Sequence, residues 1–206
     1  MLTKKQLNIF EPLTHNLFRE YSIKEIKKGS KEKSNNAISI ALKRFKVEEI
    51  ITERTVGRSK LYTLNLNNNL IFSYISLINS QTPPKAAQKA IKQLKEEIEK
   101  YTSFFSIVVF GSYAVGKQEK KSDLDIAIFV ENEAVKKKVQ LALNSAKLKS
   151  IIRIDLHAIS QDEFLEMLKA DYANLGKEIA RKHLSIYNIS IFYSLLNKGV
   201  KNGFKL

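Results

Sequence analysis

Short apolar runs of strand length mark the second half of the chain. The segment 106–110 is almost entirely apolar, and 124–130 alternates an apolar set with a more mixed set. A third run, 151–154, is rich in β-branched residues and ends at Asp155. These runs predict neighbouring strands of a buried sheet. The later apolar spacing is helical, and the helices predicted to cover the sheet are 161–169, 172–182 and 190–196.

The first 65 residues carry helical patterns followed by a hairpin pattern. The predicted elements are three helices over about 3–17, 23–28 and 34–45, and two strands over 49–54 and 60–66. Pro12 is expected to interrupt or bend the first helix, and Gly29 to end the second. Ser34 or Asn35 caps the third helix. The segment 57–59 supplies a glycine-containing turn for the hairpin.

This order of elements resembles a winged helix-turn-helix domain covering residues 1–66. The resemblance implies that the third helix enters a major groove and that the hairpin approaches phosphates. The residues that it points to are Ser34, Asn36, Ser39, Lys43 and Arg44 on the helix, and Arg54, Arg58 and Lys60 on the hairpin. The alternative is a packing or dimerisation module whose polar helix face is only solvated.

A helical linker is predicted over 67–101. A polar break at 67–69 precedes an apolar segment, 70–78, and the residues 81–84 then open a long helix. This helix carries an apolar stripe formed by Ala87, Ile91, Leu94, Ile98 and Tyr101. The stripe is expected to pack on the domain that follows, with a helical dimer seam as the weaker interpretation.

Two carboxylates lie close to a small-residue turn. Gly111-Ser112 follows the first apolar run, and Asp123 and Asp125 begin the second. Residues two apart in a strand point to the same face, with Cα atoms roughly 7 Å apart. Magnesium prefers oxygen ligands and takes one or two protein carboxylates beside water and phosphate. Asp155 is the candidate third acid. The alternative is a purely structural role, in which these residues form a capped turn before a strand. An Asp-x-Asp motif without further motif residues usually has that role.

The Gly-Ser and Asp-x-Asp spacing resembles the minimal nucleotidyltransferases of the DNA polymerase beta superfamily. The resemblance implies a nucleotidyltransferase domain over 102–206 and transfer of a nucleoside monophosphate from an NTP, by default ATP, to a hydroxyl. It assigns two Mg²⁺ ions to Asp123, Asp125 and Asp155, with Asp155 also assisting the attacking oxygen. It also implies that the acceptor could be a tyrosine of a small helical toxin, as in antitoxin members of the family.

Nucleotide contacts are expected around the turn. Gly111 lets the backbone approach phosphate, and Ser112 and the following amides present donors if they open a helix. Ser122 belongs to the same predicted nucleotide-binding set, and Lys117, Lys120 and Lys121 add positive charge. Many relatives carry a basic residue where this chain has Val115, a departure that bears on triphosphate affinity. His157 shares a strand face with Asp155, but a structural role is expected for it.

Charge and composition narrow the classes of function. The chain has 35 Lys or Arg against 21 Asp or Glu, a formal net charge of +14 that favours polyanions. Residues 1–80 and the remainder each contribute +7, so charge alone does not locate a nucleic-acid contact. The absence of cysteine excludes disulfides, zinc–thiolate sites and catalytic thiols. No signal-peptide core and no apolar run of the ~18 residues that a membrane helix needs is present, which predicts an unprocessed cytoplasmic protein with no membrane partner.

The sequence therefore predicts a mixed α/β chain with an N-terminal winged helix-turn-helix, linking helices, and a C-terminal nucleotidyltransferase fold built on a mixed sheet with flanking helices. The predicted function is magnesium-dependent nucleotidyl transfer to a protein or nucleic-acid hydroxyl, combined with DNA binding and, as one option, homodimer formation. The alternative is a DNA-binding transcriptional regulator whose transferase fold is an inactive nucleotide sensor or dimerisation scaffold.

Overall fold

The computed structural model describes residues 1–119 and 121–205, so Lys120 lies outside the described residues. The chain divides into two compact units, Met1–Ile78 and Asn79–Leu206. One unit contains a three-stranded sheet and the other a four-stranded sheet, each accompanied by helices. The mixed α/β class predicted from the sequence is confirmed.

Three helices open the first unit: α1 (Lys4–Thr14), α2 (Ile23–Ser30) and α3 (Asn35–Val47). Thr3 and Ser22 form capping boxes at the first two, and the Ser34 side chain accepts a hydrogen bond from the Ala37 N–H at the third. Such caps satisfy N–H groups that have no partner within the helix. The helices bury a common apolar core that includes Ile9, Phe10, Leu13, Ile26, Ile38 and Phe45.

Two predicted helix boundaries in this unit were wrong. Helix α1 is not interrupted at Pro12 and ends at Thr14 rather than near residue 17. Helix α2 continues through Gly29 and ends at Ser30, and the capping residue Lys31 adopts a left-handed conformation with φ 54°. A Cβ at Gly29 would lie 2.7 Å from the Cβ of Pro12. Gly29 therefore permits close packing of α2 against α1, and this tertiary requirement has no local signal.

Replacement of Gly29 by alanine is expected to destabilise the protein by about 1–3 kcal/mol, because the new methyl group overlaps the Pro12 ring. The helix propensity of alanine offsets about 1 kcal/mol of that cost. Urea unfolding followed by circular dichroism measures the change. A more stable Gly29→Ala variant would contradict the packing role.

The hairpin of the first unit follows α3. Its strands are β2 (Ile51–Val56) and β3 (Ser59–Leu64), and a two-residue strand, β1 (Tyr21–Ser22), pairs with β3 to give the antiparallel order β1-β3-β2. Gly57 has φ +58°, which suits the tight turn between β2 and β3. The two hairpin strands were predicted with slightly different bounds. Strand β1 was not predicted, because two residues are too few to show a periodic pattern. Helix α4 (Leu70–Gln81) crosses the boundary between the units.

The second unit is built around a sheet of order β6-β5-β4-β7, in which β5 and β6 are parallel and the other pairs antiparallel. Its elements are α5 (Lys85–Ile98), β4 (Phe105–Phe110), α6 (Gly111–Ala114), β5 (Leu124–Val130), α7 (Glu133–Lys149), β6 (Ile154–Ser160), α8 (Gln161–Lys169), α9 (Leu175–Arg181), β7 (His183–Tyr187) and α10 (Ile189–Lys201). Strand β7 was missed, since the sequence predicted only helices after Asp155. This edge strand has five residues, in which Leu184 and Ile186 alternate with the buried Ser185, and so short an alternation was not distinguished from the helical patterns on either side.

Both faces of this sheet are covered. One face packs against α5 and α7, where Ala87, Ile91, Leu94 and Ile98 of the predicted stripe are buried in the sheet core. Packing of the α5 stripe within this unit is therefore confirmed, although Tyr101 is 46% exposed. On the other face, Phe129 packs edge-on against Phe164 of α8 and contacts Phe192 of α10. Among the described residues, no helix is both long enough and apolar enough to cross a membrane.

The edge strand β7 begins with a histidine whose ring lies against Phe192 and Tyr193. The His183 Nδ1–H donates to the carbonyl of Ile179 at 2.9 Å, and Nε2 lies 3.0 Å from the Tyr193 hydroxyl. Burial of the ring lowers the pKa of His183 to about 4, despite the backbone hydrogen bonds that act in the opposite direction. The folded protein therefore holds this imidazole neutral at neutral pH.

Stability is expected to fall as the pH drops from 6.5 towards 4. The unfolded chain, with an ordinary histidine pKa of 6.5, binds a proton over that range while the folded chain does not. At the acid end, the loss in free energy of unfolding approaches about 3 kcal/mol. Solvent screening of the partly exposed residue reduces this value. Chemical unfolding at several pH values measures it. An identical pH profile in a His183→Gln variant would contradict the assignment, whereas His15→Gln is expected to leave the profile unchanged.

Candidate functional site

The three predicted carboxylates lie at the end of the second sheet where the parallel strands β5 and β6 begin. Asp125 is the second residue of β5 and is paired directly with Asp155, the second residue of the parallel strand β6. Asp123 precedes β5 by one residue, and its neighbour Leu124 donates its backbone N–H to the carbonyl of Arg153 at 2.9 Å. The predicted strand position of Asp155 was wrong, because β6 begins at Ile154 and Asp155 is the second residue of the strand rather than the last.

The Gly-Ser turn packs directly against one of these acids. Gly111 follows β4 with φ +65°, a region that favours glycine, and a Cβ built on it would lie 2.1 Å from Oδ2 of Asp125. Gly111 and Ser112 open the four-residue helix α6. The Ser112 carbonyl accepts the backbone N–H of Lys117 at 2.9 Å, which closes the turn. Glycine at position 111 is therefore required both by its backbone angle and by the contact with Asp125.

The other residues of the predicted nucleotide-binding set lie in the loop between α6 and β5. The Ser122 hydroxyl accepts the backbone N–H of Glu119 at 2.9 Å, and the Ser122 N–H donates to the Glu119 carbonyl. Ser122 thus closes a turn immediately before Asp123. Lys117 is exposed, as is Val115. The nucleotide contacts assigned to these residues stay predictions.

Negative charge accumulates around Asp125. Burial raises the pKa of this carboxyl, and the nearby charges of Asp155, Asp123 and Glu178 raise it further, while His157 acts in the opposite direction. The Nε2 atom of His157 lies 3.0 Å from Oδ2 of Asp155. A group of like charges of this kind is unfavourable unless a cation or a proton neutralises part of it.

Magnesium chemistry is consistent with this donor set. Within residues 1–119 and 121–205, no group of three or more His, Asp or Glu side chains is arranged to enclose a metal ion. Asp125 and Asp155, which are direct partners in the strand register, nevertheless supply the ligand type of Mg²⁺, which commonly takes one or two protein carboxylates and completes its shell with water and phosphate. The residues therefore suit a metal brought in with a nucleotide rather than a closed protein cage.

A cavity of about 450 Å³ adjoins the carboxylates. It is lined by Asp123 and Asp155 together with Lys147 from α7, Arg153, Ser150 and residues 151, 152 and 154. In the part of the chain that the structure describes, neither Lys147 nor Arg153 forms an ion pair. The cavity thus has acidic side chains, Asp123 and Asp155, that can bind an attacking hydroxyl group. It also has basic side chains, Lys147 and Arg153, that can bind an anionic group.

Sequence reasoning missed three residues of this site. Arg153 could have been found, since it is two residues before Asp155 in the same apolar run. Lys147 and Glu178 carry no such signal, because α7 and α9 bring them to the site from a distance in sequence. Their contribution depends on how the helices pack.

The residues of the first unit that are predicted to contact DNA differ in exposure and in ion pairing. Asn36, Ser39 and Lys43 are exposed on α3, and Arg58 is exposed in the hairpin turn. The remaining cations have carboxylate partners within the unit: Arg44 with Glu48, Arg54 with Glu20, and Lys60 with Glu53. Ser34 caps α3. Ser39, Lys43 and Lys60 line one cavity, whereas Arg44 does not.

No curated protein matches the chain. A family model described as Polymerase beta, Nucleotidyltransferase matches residues 92–183. The matched segment runs from within α5 to the first residue of β7 and contains the Gly-Ser turn and all three aspartates. The match supports a nucleotidyltransferase domain at residues 92–183.

Proposed function

We propose that the second unit transfers a nucleoside monophosphate from an NTP to an acceptor hydroxyl. The observation that carries the proposal is the direct pairing of Asp125 with Asp155 across parallel strands, with Gly111 packed on Asp125. The family match over the same segment supports the reaction class. ATP is the proposed donor, and a protein or nucleic acid is the proposed acceptor.

In the proposed reaction the acceptor oxygen attacks the α-phosphorus of the NTP. A new P–O bond forms, the bond to the bridging oxygen of the β-phosphate breaks, and pyrophosphate leaves. Asp155 takes the hydroxyl proton, and His157 holds that carboxylate in place through its 3.0 Å contact. Asp123, Asp125 and Asp155 would hold Mg²⁺ that arrives with the NTP, and the metal would supply neutralising charge for the phosphates.

The cavity beside Asp123 and Asp155 is the proposed acceptor position. A hydroxyl placed there is within reach of Asp155, and Lys147 and Arg153 favour an acceptor with a negative charge near that hydroxyl. A tyrosine of a small helical partner and a nucleic-acid terminus both remain acceptor hypotheses.

Nucleotide binding is the first requirement of this proposal. Calorimetry with each of the four NTPs, with and without Mg²⁺, is expected to show magnesium-dependent binding that an Asp123→Asn/Asp125→Asn variant loses. An exposed acid of the same unit provides the control, Asp171→Asn, for which unchanged binding is expected. Failure of every NTP to bind would reject both transfer and nucleotide sensing.

The second candidate is a DNA-binding regulator without turnover. The observation that favours it is Val115, which is 43% exposed at the position where the family resemblance implies a basic residue. We propose that α3 reads the major groove and that the hairpin contacts phosphates, in the manner of a winged helix. Support comes from the order of helices and strands in the first unit and from the exposed polar face of α3. Because Arg44, Arg54 and Lys60 have carboxylate partners, Lys43 and Arg58 are the two cations of the predicted DNA-contact set that form no ion pair within the described residues.

Duplex DNA is expected to bind with a steep dependence on salt. A Lys43→Gln variant should weaken binding for all sequences and lower the slope of log K against log salt by about 1. Fluorescence anisotropy at several salt concentrations measures both quantities, with the exposed residue Lys24→Gln as the control. Absence of binding even at low salt would favour the packing or dimerisation module.

A further inference from the structure

A cavity of about 590 Å³ lies between α3 and the hairpin of the first unit. Its apolar lining consists of Ile38 and Leu42 from α3, Tyr62 from β3, and Ile23 at the start of α2. Ile23 borders this cavity, and its side chain is 42% exposed. Ligand sites in proteins commonly have volumes of about 300–1,000 Å³, with apolar walls and a few polar groups.

Charged groups converge on the same cavity from two elements. Lys43 and Lys46 come from α3, and Glu53 and Lys60 come from the hairpin. Glu53 accepts hydrogen bonds from Lys46 at 3.0 Å and from Lys60 at 2.9 Å. Lys43 forms no ion pair with any other residue in the described ranges. The cavity is thus lined by three lysines and one glutamate, of which Lys46 and Lys60 share the carboxylate, so it carries excess positive charge.

Glu53 stays ionised at neutral pH. Hydrogen bonds from Lys60 and Lys46 lower the pKa of its carboxyl to about 2. The carboxylate therefore orients two of the lysines without cancelling the charge of the third. An entering anion would find Lys43 without an ion-pair partner and two further lysines held by Glu53 in the cavity lining.

We propose that this cavity binds a small amphipathic anion, with a phosphate or carboxylate head on an aromatic or aliphatic body. The head lies among Lys43, Lys46 and Lys60, and the body covers Ile23 and the small accessible parts of Leu42 and Tyr62, which are 4% and 3% exposed. A nucleic-acid backbone satisfies the lysines but leaves the exposed side chain of Ile23 uncovered. The apolar lining therefore favours a ligand that has both parts. Occupancy would also cover Ser39, Lys43 and Lys60, which are the residues proposed to contact DNA.

Phenyl phosphate is a suitable probe, because it combines an anionic head with an apolar body and lacks a nucleoside that the transferase site would bind. It is titrated into the ¹⁵N-labelled full-length chain without Mg²⁺, beside inorganic phosphate, phenol and benzoate. Amide shifts are expected in α3 and β3. Phenyl phosphate should bind at least about tenfold more tightly than either inorganic phosphate or phenol. Benzoate distinguishes a carboxylate head from a phosphate head.

Two variants separate the parts of the proposed site. Lys43→Gln is expected to weaken phenyl phosphate and inorganic phosphate together, whereas Ile23→Ser should weaken phenyl phosphate alone. Lys24→Gln, an exposed lysine that does not line the cavity, should change neither affinity. The proposal is overturned if phenyl phosphate does not bind, binds no better than inorganic phosphate, or shifts amides outside the first unit only. Retained affinity in Lys43→Gln would overturn it equally.

Discussion

An Asp125→Asn variant is expected to lose nucleotidyl transfer by at least ~100-fold, which corresponds to ~2.7 kcal/mol at 25 °C. Asparagine keeps the shape of the side chain but removes the negative charge that the proposed reaction uses to hold the metal. Asp125 is paired with Asp155 and lies against Gly111, so no neighbouring carboxylate occupies the same position. Steady-state rates with saturating NTP measure the loss.

The same substitution is expected to preserve or raise stability when Mg²⁺ is absent. Burial and the charges of Asp155, Asp123 and Glu178 raise the pKa of Asp125 in the folded protein. The stability that this shift provides is present when the group is protonated and is lost as the pH rises through the folded pKa. Wherever the group is ionised, it therefore opposes folding. Asp171→Asn serves as the control for both activity and thermal unfolding.

The combination of lost activity and unchanged or higher stability is what distinguishes a functional carboxylate from a structural one. If Asp125→Asn unfolded at a clearly lower temperature in metal-free buffer, Asp125 would be a structural residue instead. Full activity in this variant would remove Asp125 from the proposed reaction.

A Gly111→Ala variant should also lose most of its activity. The added methyl group would lie 2.1 Å from Oδ2 of Asp125, so either the carboxylate or the turn has to move. Displacements of this size at a reacting centre cost about 100-fold in rate. The positive φ of +65° adds a backbone cost of about 1 kcal/mol to the loss of stability. Activity and urea unfolding are measured on the same preparation.

Gly116 provides a matched control within the same loop. It has φ +66°, but nothing lies within 4 Å of a Cβ built on it. Gly116→Ala therefore shares the backbone cost of Gly111→Ala without the contact with Asp125. Activity is expected to survive in Gly116→Ala and to fall in Gly111→Ala. Equal losses in the two variants would show that backbone strain, not the Asp125 contact, explains the effect.

Local spacing predicted much of the second unit. The runs that form β4 and β5 and the Gly-Ser turn between them are all short-range patterns. The shared face of Asp123 and Asp125 stays a prediction, because Asp123 precedes β5. The proximity of Asp155 to Asp125 followed from expecting its run to form a neighbouring strand. The register that places them side by side came only from the structure.

Contacts between distant segments account for what the sequence did not predict. Lys147 and Glu178 reach the site through the packing of α7 and α9, and no motif marks them. Gly29 resembles a helix stop in sequence, yet the proximity of Pro12 is the reason for glycine there. Arg54 and Lys60 have the sequence pattern of phosphate contacts, whereas Glu20 and Glu53 hold their side chains in the folded unit.

Label transfer tests the central claim most directly. The purified protein is incubated with Mg²⁺, each α-labelled NTP and lysate of the native host, beside the Asp123→Asn/Asp125→Asn variant. Label fixed on a macromolecule only by the unsubstituted protein is the predicted result, and its protease or nuclease sensitivity identifies the acceptor class. No fixed label with any NTP, or equal label with both proteins, would contradict nucleotidyl transfer by these aspartates.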